Sequence, residues 1–214
     1  MNMQTDQLVH ALAADHPTQP APPGRVLALA LAGGVVVAAA MFLGLLGPRG
    51  DIMAALATPR FLLKFVETGA LAATALALAL RLMRPGAPTS RAALGLAAAP
   101  GILLLAVIAE LMLIPPEAWA ARLVGANARI CMTFIPVLAL PQLAAALLAL
   151  RHGAPTRPAL TGAVAGLRAG GLAATLYAAH CPDDSPLFVA TWYTLAIALS
   201  ALAGALVGAR FLRW

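Results

Sequence analysis

Apolar residues fall into six long runs, separated by short segments rich in proline, glycine or charged residues. The runs cover residues 26–46, 61–80, 92–114, 130–150, 159–179 and 187–209. Each is close to the ~20 residues that a helix needs to cross the hydrocarbon core of a bilayer. Backbone polar groups in lipid must be satisfied within the segment, so each run is predicted to be a helix. The pattern therefore predicts an all-α membrane protein with six transmembrane helices.

Composition agrees with this prediction and excludes an ordinary soluble fold. Hydrophobic residues make up 62% of the chain and charged residues only 10%. The chain has 14 Lys and Arg residues against 8 Asp and Glu residues, an excess that in a soluble domain would suggest nucleic-acid binding. Here the basic residues stand singly or in pairs between apolar runs, a spacing that sets membrane topology. No direct nucleic-acid partner is predicted, and the expected surroundings are the lipid bilayer.

The basic flanks predict the orientation of the helices. With the N-terminus inside, the cytoplasmic flanks carry Arg25, Arg81, Arg84, Arg91, Arg151, Arg157, Arg210 and Arg213. The opposite flanks carry Arg49, Arg60, Arg122 and Arg129. Because the side with more basic residues faces the cytoplasm, both termini are predicted to be cytoplasmic. Three parts follow: a segment 1–25 ending in a proline-rich linker, a transmembrane domain 26–209 and a basic tail 210–214.

The N-terminal segment contains one amphipathic stretch. Thr5 can cap a short helix that starts at Asp6. Its apolar stripe consists of Leu8, Val9, Leu12 and Ala13. A helix of about ten residues is marginal alone in water, so the stripe is expected to order on a partner or a membrane surface. A frayed terminus is the other interpretation.

Small residues recur on the last two predicted helices. The repeats, at intervals of four, are Gly162, Gly166 and Gly170, then Gly204 and Gly208. Small residues at this spacing let helices approach closely, so a small-residue-packed bundle is expected. Packing within one chain is the first interpretation and dimerisation the second. The sequence does not predict the oligomeric state.

Four ionisable side chains lie within the apolar runs, namely Lys64, Glu67, Glu110 and Arg168. An unpaired charge at mid-bilayer costs about 2.5–3.5 kcal/mol, so Arg168 should have a partner. Glu67 is the best match in depth, and Lys64 could also pair with Glu67. An intramembrane ion pair that fixes helix register is the favoured interpretation. A small membrane transporter that uses these four charges is the alternative function.

The two cysteines are the residues with the most specific chemistry. Cys131 is the second residue of the fourth run, and Cys181 lies in the loop before the sixth, so both are predicted at the extracytoplasmic surface. They could form a reversible disulfide, or their thiolates could bind a thiophilic metal ion. The possible metal ligands are Cys131, Cys181, His180, Asp183 and Asp184. A structural role for both cysteines stays open.

Catalytic motifs are missing from the sequence. It has no Cys-x-x-Cys redox pair, no Walker loop, no His-Glu-x-x-His and no Gly-x-Ser-x-Gly. We therefore expect no enzyme activity and no constitutive cofactor.

Three stretches together resemble the NrsF-type family of integral-membrane anti-sigma factors. They are TDQLVHALAAD at 5–15, PRFLLK at 59–64 and CPDDSPLFVATWY at 181–193. The resemblance covers essentially the whole chain and is most specific at the loop that contains Cys181.

The resemblance implies a six-span protein of the bacterial inner membrane. Such a protein sequesters an extracytoplasmic-function sigma factor until a stress signal, heavy metal or oxidant, acts on two cysteines. The family's two cysteines correspond to Cys131 and Cys181. The sigma-binding portion would include residues 1–25, with the apolar stripe of the short helix as the expected contact.

Overall fold

The protein, described here as a computed structural model, is defined over residues 5–14, 23–84 and 86–213. Within these residues every regular element is helical. In chain order the helices are α1 Thr5–Ala14, α2 Pro23–Leu45, α3 Ile52–Ala55, α4 Pro59–Leu82, α5 Ser90–Gly95, α6 Ala98–Leu113, α7 Trp119–Val124, α8 Ala128–Leu150, α9 Pro158–Ala178, α10 Pro186–Phe188 and α11 Thr194–Phe211. A 3-10 turn, Pro116–Ala118, precedes α7, and a π-helical turn, Val189–Tyr193, joins α10 to α11.

Six helical segments are long and apolar enough to cross a membrane, and two of them combine consecutive shorter elements: α5 with α6, and α10 with the π-helical turn and α11. They are Ala28–Leu45, Pro59–Leu82, Ser90–Leu113, Ala128–Leu150, Pro158–Ala178 and Pro186–Phe211. The prediction of an all-helical chain with six such helices is confirmed. The short N-terminal helix is also present, beginning at Thr5. The proline-rich linker at 15–22 lies outside the described residues.

Proline sets several of the helix boundaries. Pro59, Pro158 and Pro186 each occupy the first helical position, where the N–H that proline lacks would have no intrahelical partner. By contrast, α8 continues through Pro136 and Pro141. Each of these removes one backbone N–H from the hydrogen-bond ladder of the helix. Helix α8 therefore lacks two hydrogen bonds of its own backbone ladder near its middle.

Helix α9 lies at the centre of the bundle. It packs against α4, α8 and α11, while α2 packs mainly against α8. The span formed by α5 and α6 is peripheral, since only 11% of its residues are buried within the chain, against 61% for α9. The core consists mainly of alanine, leucine and aromatic side chains from α8, α9 and α11.

Glycine allows α9 and α11 to meet backbone to backbone. A Cβ atom added at Gly208 would lie 2.8 Å from the Cα atom of Gly162 and 2.9 Å from the carbonyl oxygen of Pro158. At Gly166 an added Cβ would collide with the carbonyl oxygen of Ser200. The repeated glycines of the fifth and sixth spans therefore lie in a contact within one chain.

The connections between the helices form two ends of the bundle. The cysteine end comprises residues 47–64, 110–131 and 179–187. The arginine end comprises residues 81–91, 150–158 and 208–213.

Candidate functional site

Both cysteines are buried at the cysteine end. Cys131, in the first turn of α8, and Cys181, three residues after α9, are each 0% exposed and are free thiols. They belong to one buried cluster and are close enough to act on each other electrostatically. The structure therefore brings the two predicted sensing residues into one buried region.

Asp183, two residues after Cys181, caps the helix that carries Cys131. One carboxylate oxygen of Asp183 accepts hydrogen bonds from the backbone N–H groups of Asn127 at 2.8 Å and Ala126 at 3.1 Å. The side chain of Asn127 donates a third at 3.2 Å. The residue at the N-cap, Asn127, makes no side-chain cap of its own. A carboxylate from a distant loop thus satisfies N–H groups just before α8 and complements the positive end of its dipole.

Asp184 is the meeting point of two cations. Lys64 Nζ lies 2.6 Å from Asp184 Oδ1, and an Arg49 guanidinium nitrogen lies 2.9 Å from Oδ2. Lys64 Nζ also donates to the carbonyl oxygen of Cys181 at 2.8 Å. Arg49 bonds to the exposed Asp51 at 2.6 Å as well, and its hydrogen bonds hold the pKa of Asp51 below the usual range. The loop is therefore tied to α4 and to the connection after α2.

Ser185 connects the loop to a second charge cluster. Its hydroxyl donates to Glu110 Oε1 at 3.3 Å. Glu110 is buried on α6 and pairs with Arg60 at 2.6 Å and with Arg122 at 3.7 Å. Ser185 also accepts from the backbone N–H of Leu187, which caps α10. Three consecutive residues, 183 to 185, thus contact α8, α4 and α6.

Gly125 is the turn that lets the loop approach α8. Its φ is +58°, in the region that favours glycine. A Cβ added there would lie 2.5 Å from the Phe188 ring and 2.8 Å from Asp183 Cγ. Any larger residue would push the Asp183 cap away from the start of α8.

The surroundings of Cys181 keep its thiol protonated. Burial is the main cause that raises the pKa of the Cys181 thiol, and the positive charge of Lys64 opposes this effect. Tyr177 and Tyr193 pack nearby with ring centroids 5.8 Å apart. Among the described residues neither hydroxyl has a hydrogen-bond partner in good geometry, although both are close enough to the Cys181 thiol to interact with it electrostatically. The site is closed and largely apolar around two polar hydroxyls.

The predicted metal ligands are not gathered around one point. Within the described residues, no three His, Cys, Asp or Glu side chains are placed to hold a metal ion. His180 Nδ1 lies 3.0 Å from the carbonyl oxygen of Gly47, while Asp183 and Asp184 are engaged as cap and ion-pair partner. In this arrangement the possible ligands do not form one site, because His180, Asp183 and Asp184 have other partners. Metal binding by the two thiols stays a prediction.

The intramembrane charges also pair differently from the prediction. Lys64 pairs with Asp184, and Glu110 with Arg60 and Arg122. Within the described residues, no ion pair joins Glu67 to Lys64 or to Arg168, and one Glu67 oxygen and two Arg168 nitrogens lack hydrogen-bond partners. Depth along a span did not reveal these partners, since Asp184 lies in the loop after α9, Arg60 at the start of α4 and Arg122 on α7. Two of the four charges proposed for a transport path are thus structural ties at the cysteine end.

Of the predicted sigma-binding stripe, Leu8 and Val9 are exposed on α1, at 43% and 58%. The side chains of Leu12 and Ala13 lie outside the described part of the chain. Exposed apolar side chains on a short helix leave a surface that a partner can cover.

Sequence analysis missed Arg49, Arg60 and Ser185. The two arginines were interpreted as topology signals, whereas Arg49 pairs with Asp184 and Arg60 pairs with the buried Glu110. Their pairing with acids far along the chain carries no local signal in a single sequence.

The family model described as "negative regulator of sigma F", NrsF, matches residues 12–214. The chain belongs to the NrsF family. It is 41% identical over 215 residues to the anti-sigma-F factor NrsF of Caulobacter vibrioides strain NA1000 / CB15N, covering 99% of this chain and 100% of that protein. It is 38% identical over 217 residues to the probable anti-sigma-F factor NrsF of Azospira oryzae, covering 99% and 100%. No solved structure matches the chain.

Membership of the NrsF family helps to decide between a regulatory function and a transport function. The family is described as regulatory, which does not favour the transporter alternative. The description does not include catalysis. The NrsF resemblance found in the three sequence stretches is confirmed over nearly the full length.

Proposed function

We propose that this NrsF-family chain is an anti-sigma factor of the bacterial inner membrane. It holds an extracytoplasmic-function sigma factor through residues 1–25 and releases it when a heavy metal or an oxidant acts on Cys131 and Cys181. The observation that carries the proposal is full-length similarity to two proteins named as anti-sigma-F factors. The six apolar helices support the membrane location.

The excess of basic flanks supports a topology with both termini in the cytoplasm. In that topology the exposed Leu8 and Val9 face a cytoplasmic partner, and the cysteine end faces outward. The signal and the partner then act at opposite ends of the bundle, and the two ends must be coupled through the helices.

The signalling chemistry uses the two free thiols. With a peroxide as oxidant, the two thiols lose two protons and two electrons, and an Sγ–Sγ bond forms. The peroxide O–O bond breaks and takes up these protons and electrons, which gives two waters from hydrogen peroxide or one alcohol and one water from an organic hydroperoxide. With a thiophilic metal ion, the two thiols lose their protons and both thiolates bind the ion. Either reaction requires the loop to move, because both sulfurs are buried at 0% exposure.

Moving the loop disturbs three helices at once. Asp183 caps the start of α8. Asp184 binds Lys64 on α4 and Arg49 in the connection after α2. Ser185 donates a hydrogen bond to Glu110 on α6. A change of sulfur chemistry therefore alters how α8 sits against its neighbours, and α8 is the span interrupted by two prolines. Changing a partner from 99% held to 99% free needs about 5.5 kcal/mol of bias between two arrangements. Loss of one buried ion pair and one helix cap is of that order.

Sigma binding is tested by co-purification from the native host. The detergent-solubilised full chain should recover a sigma factor, identified by mass spectrometry. The double variant Leu8→Asp, Val9→Asp should lose it, because two charges replace the exposed apolar stripe. His10→Ala, on another face of α1, is the matched control. Recovery of no sigma factor by the unaltered chain, under reducing and non-reducing conditions alike, would refute the proposal.

The sensing role is tested with Cys131→Ser, Cys181→Ser. This variant should still bind the sigma factor but should not release it after peroxide or cadmium treatment of cells. Normal release by the double variant would disprove cysteine sensing while leaving anti-sigma function intact. A thiol-free variant that never binds the sigma factor would instead show that the cysteines are structural.

A further inference from the structure

The arginine end contains a cavity whose lining combines charge and apolar surface. Its volume is about 560 Å³, and it lies between α4, the segment leading into α5, and α9. Arg81, Arg84 and Arg157 line the mouth. Leucines from α4, α5–α6 and α9 line the remainder, among them Leu78, Leu82, Leu96, Leu160 and Leu167. A neighbouring cavity of about 460 Å³ shares Arg81 and adds Arg91.

These guanidinium groups have no carboxylate partner within the described residues. The ion pairs found there involve Arg49, Arg60, Lys64 and Arg122, which all belong to the cysteine end. Arg151, at the same end as the cavity, stacks instead on Phe211 at 5.0 Å from the ring centroid. Several uncompensated cations around one concave mouth attract an anion from outside the chain.

The chemistry of the lining points to a phosphate group with an attached hydrocarbon chain. Guanidinium forks match phosphate oxygens in pairs. The mouth lies where α4 ends and α9 begins, which is the level of lipid headgroups for helices that span the membrane. From Leu160 to Leu167 the apolar lining follows α9 for about 10 Å into the span, by the rise of a helix. A free phosphate would use the mouth alone, whereas a lipid also fills the apolar part.

We propose that this cavity is a binding site for an anionic membrane phospholipid. The phosphate sits among Arg81, Arg84 and Arg157, and one acyl chain lies along the leucines between α4 and α9. The inference is independent of sigma binding and of the orientation of the chain, because these helix ends share one membrane surface in either topology. A bound lipid would fix the connection between α4 and α5 against α9.

The test is native mass spectrometry of the delipidated full chain, titrated separately with phosphatidylglycerol, phosphatidylcholine and glycerol phosphate. One tightly bound phosphatidylglycerol is expected, at least about tenfold tighter than phosphatidylcholine. The triple variant Arg81→Gln, Arg84→Gln, Arg157→Gln should lose this preference. The matched control, Arg151→Gln, Arg210→Gln, Arg213→Gln, removes the same charge from the same end outside the cavity and should keep it.

A second variant tests the apolar half without altering charge. Ala163→Phe places a ring in the cavity and should weaken phosphatidylglycerol binding severalfold, with unfolding midpoints measured for every variant. Equal losses in both arginine triples would overturn the proposal in favour of general surface charge. Full competition by glycerol phosphate, with no effect of Ala163→Phe, would overturn it in favour of a free phosphate. If the variant with Arg81, Arg84 and Arg157 replaced bound lipid normally but no longer bound the sigma factor, the proposal would be overturned in favour of a protein-binding surface.

Discussion

The two ends of the bundle use basic residues in opposite ways. At the cysteine end, Arg49, Arg60, Lys64 and Arg122 are bound by carboxylates of the same chain. At the arginine end, within the described residues, no arginine has such a partner. One end therefore pairs all its basic residues except the exposed Arg129 within the chain, whereas the other presents its charge to something outside the chain.

The difference indicates which end of the bundle can switch between two stable arrangements and which end can bind a molecule outside the chain. Buried ions with matched partners resist partial opening, since each lost contact leaves a charge without solvent or counter-ion. Exposed arginines cost little to leave unpaired and interact with lipid headgroups or acidic surfaces. The cysteine end thus suits a two-state element, and the arginine end suits attachment.

The largest expected effect comes from breaking the ion pair beneath the loop. Asp184→Asn leaves the ammonium group of Lys64, which is 1% exposed, without its counter-ion. We expect a loss of about 3 kcal/mol in the free energy of unfolding, measured by denaturant unfolding in detergent. The matched control is Asp51→Asn, which removes the exposed partner of the same Arg49 and should change stability little. Equal effects of the two variants would show that the cysteine end is not internally held.

A smaller effect is expected where α9 and α11 connect the two ends. Gly208→Ala adds a methyl group 2.8 Å from the Cα atom of Gly162, which forces the helices apart and should cost about 2 kcal/mol. Gly33→Ala on α2 has no atom within 4 Å of the added Cβ and should be neutral or slightly stabilising. Unfolding midpoints measure both. A neutral Gly208→Ala would mean that the α9–α11 contact gives way easily and cannot couple the ends rigidly.

Sequence alone was sufficient for the spans, although their predicted starts differ from the observed ones by one or two residues, as in 61 against Pro59 and 159 against Pro158. The length of each apolar run determines how many times the chain can cross a bilayer, and that information is local. Prolines such as Pro59 and Pro158 mark helix starts for the same reason, because the missing N–H acts only on its own turn. The pair of cysteines could also be placed at one surface by counting crossings.

The partners at the cysteine end could not be predicted in this way. Arg49 and Asp184 are 135 residues apart, and Arg60 and Glu110 are 50 apart. Which carboxylate meets which cation depends on how the helices pack, and a composition of alanine and leucine constrains that packing weakly. Asp183 illustrates the ambiguity, since a carboxylate beside a cysteine fits a metal site and a helix cap equally well until the start of α8 is located.

The smallest expected effect is a difference in titration between thiols at the two ends. Burial raises the pKa of the Cys181 thiol, and alkylation requires the thiolate. In a Cys131→Ser variant, the alkylation rate of Cys181 should therefore keep rising with pH beyond about 8.5, where an ordinary thiol is half ionised. In a variant lacking both native cysteines, Ala154→Cys supplies an exposed thiol at the arginine end, and its rate should level off near or below that pH. Restricted access would slow Cys181 by a constant factor at every pH, so the shape of the profile, followed by mass spectrometry, reports the pKa. If the alkylation rates of the two thiols depended on pH in the same way, burial would not be raising the pKa of Cys181. The contrast between a closed cysteine end and an open arginine end would then not hold for the thiols.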